Sequence, residues 1–108
     1  RLLAPVDPPV LGVSVSGDLD TTNSADFLKL GSRLIPSALA AGGFLVELSG
    51  LRYISSTGIG ALASLMTETE KREVPFYLCG VTPRAQSIFE ALGLWSFFRV
   101  LPSFKEEA

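Results

Sequence analysis

The sequence contains no histidine and only one cysteine, Cys79. Without histidine there is no Ser-His or Cys-His nucleophile pair, no phosphohistidine chemistry and none of the commonest zinc ligand. A lone cysteine excludes an intrachain disulfide and a cysteine-based zinc site, and it suits a reducing cytosol. Positive charge is also sparse. Nine basic residues face eleven acidic ones, for a net charge of -2, and no basic run exceeds Lys71-Arg72. Nothing here would neutralise a nucleic-acid backbone. Long hydrophobic runs are missing too. The stretch from Leu34 to Val46 is interrupted by Pro36, Ser37, Gly42 and Gly43, and it falls short of the ~20 residues that a membrane span needs. The expectations are a cytoplasmic, non-enzymatic chain with no catalytic residues, no metal, no cofactor, no nucleic-acid partner and no membrane insertion.

What is present is enough for a core. Hydrophobic residues make up 47% and charged residues 19% of 108 residues, which fits one folded domain and leaves no room for a second. The chain opens on Arg1, and Pro5, Pro8 and Pro9 give its start a linker-like composition. The expected organisation is therefore a linker or trimmed edge segment at 1–9, a domain at 10–104 and a tail at 105–108, compatible with a place in a larger chain or assembly.

Periodicity predicts alternating elements. Leu11, Val13 and Val15 alternate with Gly12, Ser14 and Ser16, a strand at 10–16 that ends in a Gly17-Asp18 turn and a polar loop to Asn23. Ser24 is placed to cap a helix with Phe27, Leu30, Leu34 and Ala38 on one face, which Pro36 should kink or break before Gly42-Gly43 ends it. Phe44 to Leu48 reads as a central strand with Glu47 as the polar exception. Ile59, Leu62, Ala63 and Met66 mark a second helix from Thr57 to about Arg72. Pro75 to Cys79 is another strand. Thr82-Pro83 opens a third helix with Ala85, Ile88, Phe89 and Leu92 inward and Gly93 at its end. Phe97 to Leu101 completes the pattern as a last strand, in an aromatic cluster whose Trp95 is expected to be partly exposed. The fold class is α/β, a mostly parallel sheet with helices alternating along the chain.

The sharpest local feature is Tyr53-Ile54-Ser55-Ser56-Thr57-Gly58-Ile59-Gly60, three hydroxyls and two glycines at a helix start. The hydroxyls have two readings of about equal weight. One is N-capping. The other is phosphate acceptance, because a phosphoserine there meets free N–H groups and the positive end of the helix dipole. Gly58 to Ala63 also matches G-x-G-x-x-A, but a loop separates it from the strand ending near Leu48, which argues against a dinucleotide site. Asp18 and Asp20 could be drawn as a catalytic carboxylate pair, but solvated turn residues are the better reading.

Four pieces in this order resemble the STAS domain family, best known from bacterial anti-sigma factor antagonists. They are Gly17-Asp18-Leu19-Asp20, Leu45-Val46-Glu47-Leu48-Ser49, Ile54 to Leu62, and Leu92-Gly93-Leu94. The resemblance implies a single STAS-like domain that binds a kinase-type anti-sigma factor, or another serine-kinase-like regulatory protein, and that phosphorylation releases. It places the phosphorylated serine at Ser56, with Ser55 and Thr57 as alternatives. It gathers Asp18, Asp20, Asn23, Ser55, Ser56, Thr57 and Gly58 into the partner-binding surface. The family's usual aspartate before that serine is Ser55 here. The alternative implied role is an accessory or sensor module of a transporter or stressosome-like assembly, without a phosphorylation switch.

Overall fold

In the computed structural model, which describes residues 10–101, the alternation at the start of the domain becomes β1 (Leu11–Ser14). The expected linker at 1–9 and tail at 105–108 lie outside the described residues, as do positions 102–104 of the expected domain. After β1 the chain does not turn into a loop. Gly17–Leu19 forms a second short strand, β2, followed by α1 (Ser24–Ala41), β3 (Phe44–Glu47), β4 (Leu51–Ile54), α2 (Ser56–Lys71), β5 (Phe76–Cys79) and α3 (Pro83–Ala91). A 3-10 turn at Trp95–Phe97 follows.

Among the described residues all strand pairs are parallel, because each is bridged by a helix rather than by a hairpin. β3 is central in a sheet of order β1-β3-β5, and β2 pairs with β4. Rungs continue between the two sheets: Val15 N–H donates to Glu47 O and Gly17 N–H to Gly50 O, both at 3.0 Å. As expected for a strand covered on both faces, Phe44, Leu45 and Val46 are buried in sequence. The polar exception, Glu47, is held at both oxygens: Oε1 accepts from Ser14 Oγ at 3.1 Å and Oε2 from Ser49 N–H at 3.0 Å.

Three expectations are corrected here. The helix interrupted by Pro36 is continuous through it. Pro36 lies on the solvent side, where water can stand in for the one missing backbone bond. Gly42, at φ 111, then ends α1 as anticipated by donating to Ala38 O at 2.9 Å. The start of α1 also differs, since Asn23 occupies the cap position and Ser24 is the first helical residue. The expected strand at Phe97–Leu101 shrinks to a single parallel bridge, Leu78 to Val100, because the aromatics are used for packing instead. Phe98 is buried against Phe89 and Phe76, with ring centroids 5.4 and 6.5 Å away, and Trp95 meets Phe89 edge-on at 6.1 Å. Trp95, expected to be the exposed member of the cluster, is half-buried, and Phe97 is the more open, at 49%.

The caps of α3 follow the sequence closely. Thr82 Oγ1 accepts from Ala85 N–H at 3.2 Å with Pro83 at the first helical position. Gly93 takes φ 72 after α3, with Leu94 N–H reaching back to Phe89 O. α1 and α2 approach closely where Gly31 faces the methyls of Leu65. Cys79 is buried beside Glu47, and burial first, then the carboxylate, pushes its thiol up to about 11. It is protonated and unreactive at neutral pH.

Candidate functional site

The residues anticipated for the site come from two stretches more than thirty positions apart, joined by the β2–β4 pairing that sequence reasoning missed. β4 is the decisive element. Leu51 and Ile54 point into the core while Arg52 and Tyr53 face out. In register, Asp18 lies beside Tyr53 and Leu19 beside Ile54. Ser55 N–H then donates to Leu19 O at 3.0 Å, so the first turn of α2 is stitched to the end of β2.

The three hydroxyls of this turn have separate positions. Ser55 is the N-cap, its Oγ accepting from Gly58 N–H at 3.1 Å. Ser56 is the first helical residue and is exposed, and among the described residues no side-chain hydrogen bond engages its hydroxyl. Thr57 is also exposed, and its Oγ1 receives a long 3.5 Å contact from the Thr21 hydroxyl. Capping therefore falls to Ser55 and leaves Ser56 open. Ser55→Ala is expected to lower stability by about 1 kcal/mol, and Ser55→Asp to retain wild-type stability because a carboxylate caps equally well. Urea denaturation of the two variants checks this, and equal loss in both would show that the cap bond is not what Ser55 contributes.

The two glycines differ in role. Gly58 is buried, and a Cβ there would stand 2.5 Å from Leu19 O and 3.0 Å from Ile54 Cγ1. Gly60 faces open space. Only Ser55 separates β4 from α2, so the loop anticipated before the G-x-G-x-x-A match is absent. Both glycines lie inside the helix, not in the turn before it where a phosphate cradle would need them.

Across from the turn, the 18–23 segment is ordered by its own side chains. Asp20 Oδ1 accepts from Thr22 N–H at 2.9 Å and from Thr22 Oγ1 at 2.6 Å, an Asx turn. The Thr22 hydroxyl, helped by backbone N–H groups, holds the Asp20 carboxyl below its ordinary value of 3.8. Because the folded value is the lower one, this contribution is complete above pH 3.8 and is lost as pH falls through the folded value. Asn23 is the tie between loop and strand: its Oδ1 accepts from Asp20 N–H at 2.9 Å and its Nδ2 donates to Asp18 O at 2.8 Å. Asp18 itself forms an ion pair with Arg52 at 3.3 Å. The two aspartates thus serve separate partners and do not form a shared carboxylate pair.

The model of the STAS domain family matches residues 1–107 of this chain. The chain belongs to the STAS domain family. No curated protein sequence matches this STAS domain. Among solved structures, the anti-sigma factor antagonist SpoIIAA of Bacillus in its unphosphorylated form superposes with a TM-score of 0.71 at 20% identity, over 94% of this chain and 87% of that one. Its phosphorylated form gives 0.64 at 20%, over 94% and 90%. A Thermotoga maritima protein described as an anti-sigma factor antagonist gives 0.72 at 14%, over 94% and 86%. A sulfate transporter family protein from Wolinella succinogenes gives 0.70 at 23%, over 82% and 73%. At these identities the likeness is one of fold. Among the described residues, no helix of this STAS domain is long and apolar enough to cross a membrane.

The seven residues anticipated for the site lie on the 18–23 segment and at the start of α2, and Arg52 and Tyr53 beside them on β4 were not anticipated. The one signal for them was the spacing of Leu51 and Ile54 around two outward residues, too short a pattern to distinguish from a loop.

Proposed function

We propose that this STAS domain is an anti-sigma factor antagonist-like switch. It binds a kinase-type anti-sigma factor through the 18–23 loop and the start of α2, and phosphorylation of Ser56 ends the complex. The observation that carries the reading is the division of labour at the helix start: Ser55 caps, and Ser56 stands exposed with its hydroxyl unengaged among the described residues. A phosphate on Ser56 would add roughly -1.5 to -2 charge next to the free N–H groups of the first turn, which accommodate it without loss of the fold. The same charge would sit in the middle of a docked surface, where a partner shaped for a neutral hydroxyl meets a desolvation penalty. Ser55 in place of the family's aspartate keeps the cap while removing one negative charge beside the phosphoacceptor. The domain is proposed to act at 10–104 in the cytoplasm as a binding module rather than an enzyme.

A second reading is supported by the likeness to a sulfate transporter family protein: an accessory or sensor module of a transporter or stressosome-like assembly, with no phosphorylation switch. One experiment separates the two. The purified domain is incubated with ATP, magnesium and the serine-kinase-like anti-sigma factors of its own cell, and phosphate is mapped by mass spectrometry. The switch predicts one phosphate on Ser56, none in Ser56→Ala, and loss of the complex on modification. No phosphate at Ser55, Ser56 or Thr57 and no complex with any such kinase would leave the accessory reading in its place.

A further inference from the structure

Large apolar side chains stay exposed at Leu30 and Leu39 on α1, at Tyr53, and at Leu92 and Phe97 after α3. Leu30 stands beside further half-covered apolar surface. It lines an open groove together with Phe27 of its own helix and with Val13 and Val15, and all three of these are half-buried. The thin cover is local to this edge of the sheet. Leu11 and Val13 of β1 are half-buried, while their ladder neighbours on β3, Phe44 and Val46, are fully covered.

The charges on this face of α1 are of both signs and regularly placed. Asp26, Leu30, Arg33 and Ser37 follow one another at spacings of four, three and four, which puts them on one stripe. All four are exposed. Asp26 and Arg33 stand on either side of Leu30, about 10.5 Å apart along the helix axis. Among the described residues neither is in an ion pair. Lys29 is exposed on the outer flank of the stripe, where its ammonium stays in water. Asp18, which also borders the groove, is already paired with Arg52 at 3.3 Å.

Such a stripe is its own complement. Turned end for end about an axis between Lys29 and Leu30, it sets Asp26 opposite Arg33 of a second copy, Arg33 opposite that copy's Asp26, and Leu30 against Leu30. We infer that a second copy of this chain covers this face, in a two-fold antiparallel contact of α1 with α1. The two Leu30 side chains close over the grooves, and two Asp26–Arg33 pairs flank them. A single helix pair is a small interface, so the expected dissociation constant is on the order of 10–100 µM. The dimer does not depend on the antagonist role, because it is read from oligomeric state alone.

Sedimentation velocity of the whole chain, at concentrations about tenfold below and above that constant, is expected to show a monomer passing into a dimer. Leu30→Glu sets two carboxylates against each other at the axis and abolishes the dimer. Its melting temperature stays that of the wild type, because the side chain it replaces is 54% exposed. Leu39→Glu, half a turn around α1 from Leu30, dimerises as wild type. Exchanging the charges isolates the pairing. Asp26→Arg and Arg33→Asp each weaken the dimer about 10-fold, since each turns two attractions into two repulsions. The double variant Asp26→Arg/Arg33→Asp returns to within about 3-fold of the wild type. Asp26 also suits the positive end of the helix dipole, but a loss of that kind is not rescued by a change at position 33. A wild type that stays monomeric throughout leaves this face to a different protein and overturns the assignment. So does a dimer that Leu30→Glu leaves intact, or a double variant no better than the two singles.

Discussion

Gly58→Ala is expected to destabilise the domain by about 1–3 kcal/mol, although alanine is the better helix former by about 1 kcal/mol. The reason is the neighbour it would meet. A Cβ at position 58 lands 2.5 Å from the Leu19 carbonyl oxygen, a backbone atom that cannot rotate away. That oxygen also accepts from Ser55 N–H, so relieving the contact means loosening the stitch between β2 and α2. The 18–23 loop and the start of α2 would separate, and under the proposed antagonist role partner binding should weaken along with stability. Gly60→Ala, two residues on, meets nothing within 4 Å and should stabilise by about 0.5–1 kcal/mol. Urea midpoints at constant slope give both values. The same sign of change in the two variants would mean that propensity, not the approach to Leu19, governs this turn.

The largest loss is expected from Phe89→Ala, about 3–5 kcal/mol, a substantial share of the 5–15 kcal/mol that domains of this size hold in total. Phe89 is fully buried and joins α3 to the segment behind it, with Trp95 at 6.1 Å and Phe98 at 5.4 Å between ring centroids. Phe98 in turn reaches Phe76 on β5. Removing the central ring leaves a cavity beside Trp95 and Phe98. The single tryptophan, Trp95, reports the unfolding of this region by fluorescence. Phe97→Ala, which opens no cavity because the ring is 49% exposed, is expected to cost no more than about 1 kcal/mol. Comparable losses at 89 and 97 would show that the cluster is not organised around Phe89.

The elements that could be read directly from the sequence are those whose signals are local and repeated. α2 and α3 have apolar residues at three- and four-residue spacing over two or more turns. Thr82-Pro83 and Gly93 mark the ends of α3 by chemistry that needs no distant partner. β3 is a run of large apolar residues, and length decides it as a strand. Pro36 misled because a proline is a strong local signal, yet on the wet side of an amphipathic helix its missing donor is replaced by water. The strand anticipated at Phe97–Leu101 failed for the opposite reason: aromatic residues suit strands, but here the ring of Phe89 draws Phe98 and Trp95 into a cluster and leaves one bridge to β5.

The sequence by itself determined the alternating α/β order, the family resemblance and the list of residues from Asp18 to Asn23 and from Ser55 to Gly58. The order rests on periodicity and caps, which are properties of neighbours along the chain, and the list of residues is what the family resemblance implies. Only the tertiary structure showed how these two stretches are brought together, through the β2–β4 pairing. β2 and β4 are strands of three and four residues, too short to carry a period, and each is a strand only because the other supplies its hydrogen bonds. From that pairing follow the close fit of Gly58 under Leu19 and the stitch from Ser55 N–H to Leu19 O that places the cap at the end of β2. No residue counted alone along the chain contains that information, because it resides in the registry between segments more than thirty residues apart.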